Sequence, residues 1–163
     1  KVPLLVRCPE LFEGGKTPQQ MVQNIDIGPT VLAEAGVKQP ENMPGVSFIP
    51  ILTGNSDVAS RKEIFYEYYW EYDFPMTPTV FGMRSDQYKY IKYHGIWDRN
   101  ELYDLHNDPE EMYNLIADPD KQEIAKSMSA AIYDWLEATN GMNIPLKRTV
   151  KYRWGDFKHK NEH

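Results

Sequence analysis

The sequence predicts an α/β segment followed by an α+β unit, a small four-stranded antiparallel sheet packed on one long C-terminal helix. Three observations predict it. Residues 1–60 hold an apolar run between prolines and a single amphipathic stretch. Four short aromatic and β-branched runs follow, separated by turn residues. The chain then carries apolar side chains at helical spacing ahead of Gly141.

Taken in order, "VPLLVRCP" (Val2–Pro9) reads as a short strand buried on both faces, as in a parallel sheet. "LFEGGKTPQQ" is a turn. In "NIDIGPTVLAEAGV", Asp26 is placed to N-cap a helix, Pro29 fits its first turn and Gly36 ends it. Val31, Leu32 and Ala35 give that helix an apolar stripe. Residues 38–60, rich in Pro, Gly and Asn, read as a mostly irregular connection. From Arg61 the texture changes: "EIFYEYYWEY", "TVFGMRS", "YKYIKY" and "ELYDL" are the four strands. In "YKYIKY" Lys89 and Lys92 fall on opposite faces, so that strand is expected to be covered on both sides. Ile124, Met128, Ile132, Trp135 and Leu136 then mark the long helix. The expected organisation is residues 1–60, residues 61–145 and a polar tail, 146–163. A lone strand and helix cannot bury their apolar faces, so residues 1–60 call for a larger sheet beside them. Together with an opening that lacks Met and starts mid-strand, this marks the chain as a fragment of something larger.

Composition narrows the function. At 163 residues the chain has room for one core with an appended element. Its 41% hydrophobic content is that of a globular protein. A net charge of −6 with scattered lysines and arginines argues against nucleic acid as partner. No run approaches the ~20 apolar residues of a membrane span. Cys8, the one cysteine, excludes an internal disulfide and reads as a small core residue.

No serine sits in a G-x-S-x-G context. "DLHNDPEE" alternates Asp104, His106, Asp108 and Glu110 but lacks the glycine and distal glutamate of a calcium loop, so it reads as a turn at Pro109. The aromatics of "EYYWEYDFPMTPT" are interleaved with Glu67, Glu71 and Asp73, which suits packing better than phosphate binding. His159 and His163 lie in the polar tail. His94 lies at a strand-to-turn junction, followed by Gly95, Trp97, Asp98 and Arg99. Imidazole, indole and carboxylate together suit a sugar; the alternative is a hairpin turn whose tryptophan packs on the long helix.

The order of "VPLLVRCP", "VQNIDIGPTVLAEAGV", "MPGVSFIPILTG", "TVFGMRSDQYKYIKY" and "NELYDLHNDPEEMYNL" resembles the type I sulfatases of the alkaline-phosphatase-like superfamily. Within it, the stretch from Tyr66 to Leu105 is most similar to N-acetylglucosamine-6-sulfatases and related glycan sulfatases. The resemblance implies that residues 1–60 end the large catalytic domain and that the rest borders the substrate cleft. It implies an enzyme that hydrolyses sulfate esters with a formylglycine, made from a C/S-x-P-x-R motif, and with calcium. Both are expected in the missing N-terminal part, since Cys8 is followed by Pro9-Glu10-Leu11-Phe12 and matches no such motif. It further implies a sulfated amino-sugar glycan as substrate, secreted or periplasmic location, and no activity of this chain alone. His94, Trp97 and Asp98 become the substrate-binding residues, while Arg84 anchors strands through a buried pairing. Self-association through uncovered apolar surface is also expected. The rival readings are a non-catalytic binding or scaffold module, and a related phosphodiesterase.

Overall fold

Glycine and proline punctuation leaves the first part of the chain few ways to form regular structure, and one short helix organises it. In a computed structural model, described over residues 3–55, 61–71, 77–95 and 99–144, α1 spans Ile27–Glu34 and α2 Ile49–Thr53. Gly36 (φ +66°) follows the end of α1, and Val37 N–H returns to the Leu32 carbonyl at 2.9 Å, a left-handed exit that glycine makes without strain. The region expected to be irregular thus contains one helix, α2. Pro50 sits in its first turn, and Gly54 (φ +82°) ends it.

Two further expectations fail in this segment. Residues 3–8 form no strand, and Leu4, Leu5 and Val6 are exposed. A strand buried on both faces needs neighbouring strands, and the described residues of this segment supply none. Cys8 accordingly is half-buried rather than in a core. Exposed Ile25, Ile27, Val31, Val37 and Val46 show that much apolar surface stays uncovered among the described residues of this segment.

The chain divides into two compact units between Ile64 and Phe65. The second is built on β1 (Ile64–Tyr68), β2 (Thr79–Arg84), β3 (Tyr88–His94) and β4 (Glu101–Asp104), neighbours in that order. β3 runs antiparallel to both of its neighbours, with Met83 opposite Tyr90 and Tyr90 opposite Leu102. Burial alternates along β2, so Thr79, Phe81 and Met83 face inward while Val80, Gly82 and Arg84 face the other side. The inner face packs on α3, Gln122–Ala138, through Ala125, Met128, Ile132 and Leu136. Of the two remaining predicted positions, Ile124 is partly buried against this core and Trp135 stacks on Phe65 with ring centroids 5.1 Å apart. Lys92 lies over the Tyr133 ring on the helix side, whereas Lys89 pairs with Glu111 and Tyr103 on the opposite side. Both faces of β3 are therefore occupied, as its broken alternation predicts.

α3 ends through a close approach. A Cβ at Gly141 would stand 2.6 Å from Leu136 Cδ2 and 2.9 Å from the Tyr69 hydroxyl. The Gly141 N–H bonds to the Leu136 carbonyl at 2.8 Å, and its own carbonyl accepts from Tyr69 at 2.6 Å. Only glycine lets the chain turn back this tightly.

Candidate functional site

The site predicted around His94 starts at the last residue of β3, opposite Thr79 on β2. Phe81, two residue pairs further in and on the same face, meets the imidazole edge-on, with ring centroids 6.4 Å apart at 67°. The ring is thus held from below by a core side chain while the residue itself stays exposed. Gly95 then takes φ +143° and turns the chain away from the sheet.

Asn100 closes the base of that hairpin. Its Oδ1 accepts from Tyr93 N–H at 3.1 Å and its Nδ2 donates to the Tyr90 hydroxyl at 3.3 Å. Asn114 adds a second tie, donating to the Asn100 carbonyl at 3.2 Å and accepting from Leu102 N–H at 3.1 Å. Beside His94, the Thr79 hydroxyl accepts from Trp70 N–H at 3.1 Å. The geometry is a rigid platform presenting one exposed imidazole at its rim, suited to hydrogen bonding and stacking. Trp97 and Asp98 lie outside the described residues.

The acidic run that follows β4 is taken up locally. Asp104 is buried; its Oδ1 accepts from the N–H groups of His106 and Asn107, and its Oδ2 from the Asn107 side chain at 2.9 Å. Burial pushes this carboxyl up, but the bonds from Asn107, His106 and Gln87 outweigh it and hold it below the usual carboxylate range. Asp108 accepts from Tyr113 N–H at 2.8 Å, and Glu111 takes a left-handed φ of +56° in the same turn. On the outer face, Glu101 accepts from the Tyr93 hydroxyl at 2.8 Å and the Tyr103 hydroxyl at 2.7 Å. The bond to Glu101, then burial, push the Tyr103 phenol up to about 12.

Sequence reasoning misread two charged residues. Asp26 stands at the N-cap position of α1 but its side chain makes no capping bond there: its carboxylate is buried, accepting from Gln23 N–H at 2.7 Å, Val46 N–H at 2.9 Å and both terminal nitrogens of Arg61 at 2.5 and 2.8 Å. Long-range partners outcompete the local cap because the guanidinium fork offers two charge-assisted bonds at once. Burial raises the Asp26 carboxyl, yet Arg61 and the two backbone donors prevail and hold it below its ordinary value. Gly45 (φ +97°) makes the clamp possible, since a Cβ there would stand 2.2 Å from the Ile25 carbonyl oxygen. Arg84 fails in the other direction: the buried pairing expected of it does not form among the described residues. Nearby Glu101 and Glu111 already serve Tyr93, Tyr103 and Lys89.

A four-stranded antiparallel sheet backed by one long helix, with its strand ends at a rim, is the arrangement found in the C-terminal part of sulfatases of alkaline-phosphatase-like fold. The family described as N-sulphoglucosamine sulphohydrolase, C-terminal, matches residues 1–138, and the chain belongs to it. Among similar proteins, the N-acetylglucosamine-6-O-sulfatase of Bacteroides thetaiotaomicron is 34% identical over 131 residues, covering 77% of this chain and 22% of that protein. The N-acetylglucosamine-6-sulfatase of Capra hircus is 36% identical over 149 residues, covering 78% and 26%. A protein solved in complex with its substrate D-glucosamine-2-N,6-O-disulfate superposes with a TM-score of 0.75 at 26% identity, over 87% of this chain and 29% of that one. The chain thus spans less than a third of the length of each of these three relatives.

Proposed function

We propose that this chain is the C-terminal part of a sulfatase that hydrolyses sulfate esters on a sulfated amino-sugar glycan. One observation carries the reading: family membership over residues 1–138, with relatives named for N-acetylglucosamine-6-sulfate and a structural neighbour bound to a glucosamine disulfate. In this reading the nucleophile and calcium belong to the upstream catalytic domain, which is this chain's main partner. The sequence holds no C/S-x-P-x-R motif, and among the described residues no three His, Cys, Asp or Glu side chains come together as metal ligands. No chemical step is therefore assigned to residues of this chain. Their role is to bind and orient. His94, on its rim, offers a hydrogen-bonding edge to a sugar, and Trp97 and Asp98, which follow it in the sequence, bring an indole and a carboxylate to the same role. The enzyme is secreted or periplasmic, in keeping with a glycan substrate; no helix among the described residues is long and apolar enough to cross a membrane.

The test is made in the full-length enzyme with glucosamine 6-sulfate. His94→Ala should lower kcat/KM about tenfold, the loss of one polar contact to substrate, with the unfolding midpoint unchanged because the residue is exposed. An unchanged kcat/KM removes His94 from the site. Sulfate release by the 163-residue chain alone would overturn the division of labour.

A further inference from the structure

Beside the base of the β3–β4 hairpin, α3 leaves an open groove of about 540 Å³, within the size range of small-molecule sites. On the helix side Ala125 and Ser129 make room, with Lys126 and Tyr133 beside them; Tyr90 and Asn100 line it from the sheet. Small side chains only make space, but the Tyr90 hydroxyl adds a demand. Tyr93 N–H donates to Asn100 Oδ1 at 3.1 Å, which fixes the amide so that Nδ2 donates to the Tyr90 hydroxyl at 3.3 Å. The phenol oxygen is thus the acceptor in that bond, and its own proton meets no acceptor among the described residues. Tyr90 is 3% exposed yet lines this open groove, from which a ligand can reach it. A buried donor without an acceptor is costly, and native folds rarely keep one without a reason. The Ser129 hydroxyl is likewise uncommitted among the described residues.

We infer that this groove holds a second, anionic sugar of the glycan whose sulfated residue meets His94. Sugar hydroxyls and sulfate or carboxylate oxygens are the acceptors that Tyr90 and Ser129 lack. The charge favours an anion: none of the side chains lining the groove is a carboxylate, and Lys126 is tied only by an exposed pair with Glu123. Lys92 adds a second cation, lying over the Tyr133 ring at 5.2 Å, and that tyrosine offers a pyranose an apolar surface with a polar tip. Position agrees with chemistry. Tyr90, Lys92 and His94 alternate along β3 and so face the same side of the sheet. Tyr90 and His94 lie about 13 Å apart along the strand at the usual rise per residue, too far for one sugar ring and within reach of a short oligosaccharide. The inference rests on the reading that this chain belongs to a glycan sulfatase with His94 at its substrate.

The experiment measures sulfate release by the full-length enzyme as wild type, Tyr90→Phe and Lys126→Glu. The substrates are glucosamine 6-sulfate and a tetrasaccharide that ends in that sugar and carries carboxylates or sulfates on its other sugars. Each variant should raise KM for the tetrasaccharide about tenfold, the loss of one hydrogen bond to a charged group. The rise should be smaller for the monosaccharide, which does not reach the groove. An equal penalty on both substrates, or none on the tetrasaccharide, overturns the inference, since a hairpin merely loosened beneath His94 would affect both alike. Lys126 is exposed on α3, so Lys126→Glu reads the groove even if Tyr90→Phe does not fold. Should wild type release no sulfate from either compound, the proposed function falls, and calorimetric binding of the intact tetrasaccharide decides the groove. Binding weakened about tenfold by Lys126→Glu sustains the inference; equal binding, or none by wild type, overturns it.

Discussion

The two units of this chain hold themselves together by opposite means. Residues 65–144 rest on an apolar interior, with Phe81, Leu102, Ile132 and Leu136 almost wholly removed from water between one sheet face and one helix. Residues 3–64 bury Phe48 and Pro29 but leave Leu5, Val31 and Val46 in solvent, and their most buried charged group, Asp26, gathers Gln23, Val46 and Arg61 around a single carboxylate. An apolar core is tolerant of solution conditions and sensitive to volume. A charged clamp tolerates neither a lost partner nor the protonation of its carboxylate. The difference shows that a segment which cannot layer its apolar faces can still take one conformation if a buried ion pair crosses it.

The contrast can be tested from its strongest side downwards. Leu102→Ala or Leu136→Ala should cost the second unit about 4 kcal/mol, the usual range for emptying a filled core site, and chemical denaturation followed by Trp135 fluorescence reads it. Little change would mean the sheet–helix interior is not what holds that unit. Asp26→Asn should destabilise the first unit by about 2 kcal/mol at neutral pH, because the half-buried Arg61 is left without its counter-charge. Here pH sharpens the comparison. The carboxyl is held below its ordinary value in the fold, so its contribution is present above the unfolded value of about 4 and is lost as pH falls through the folded one. Exchange protection of the Val46 amide should be higher in wild type than in Asp26→Asn at neutral pH, and the difference should shrink as pH is taken down below about 4. Equal protection at neutral pH would dissolve the clamp. Gly141→Ala should cost the second unit about 2 kcal/mol by overpacking against Leu136 and Tyr69, visible as a lower midpoint for the Trp135 signal. The smallest effect is spectroscopic: ultraviolet titration should find Tyr69 and Tyr103 among the last phenols to ionise, both pushed up to about 12. Early ionisation of either would mean its hydroxyl is not bonded to Glu67 or Glu101 in solution.

Much of the second unit is legible in the sequence. Thr79, Phe81 and Met83 alternate with Val80, Gly82 and Arg84 in the period of a strand, and Met128, Ile132 and Leu136 recur in the period of a helix; each pattern lies within one contiguous stretch. The rim position of His94 is legible for the same reason, since strand end and glycine stand side by side. Residues 3–8 are not, because an apolar run becomes a strand only beside another strand.

The sequence by itself thus determined the strands, the long helix, the order in which they follow and the turn that carries His94, because local periodicity and turn chemistry act between near neighbours. Only the tertiary structure decided the partners of the charges. Asp26 meets Arg61 across 35 positions, Tyr69 reaches Gly141 across 72, and Arg84 finds no acceptor at all among the described residues. The physical reason is that a buried charge is governed by whichever opposite group the packing of whole elements brings within bonding distance, and no local pattern encodes that meeting.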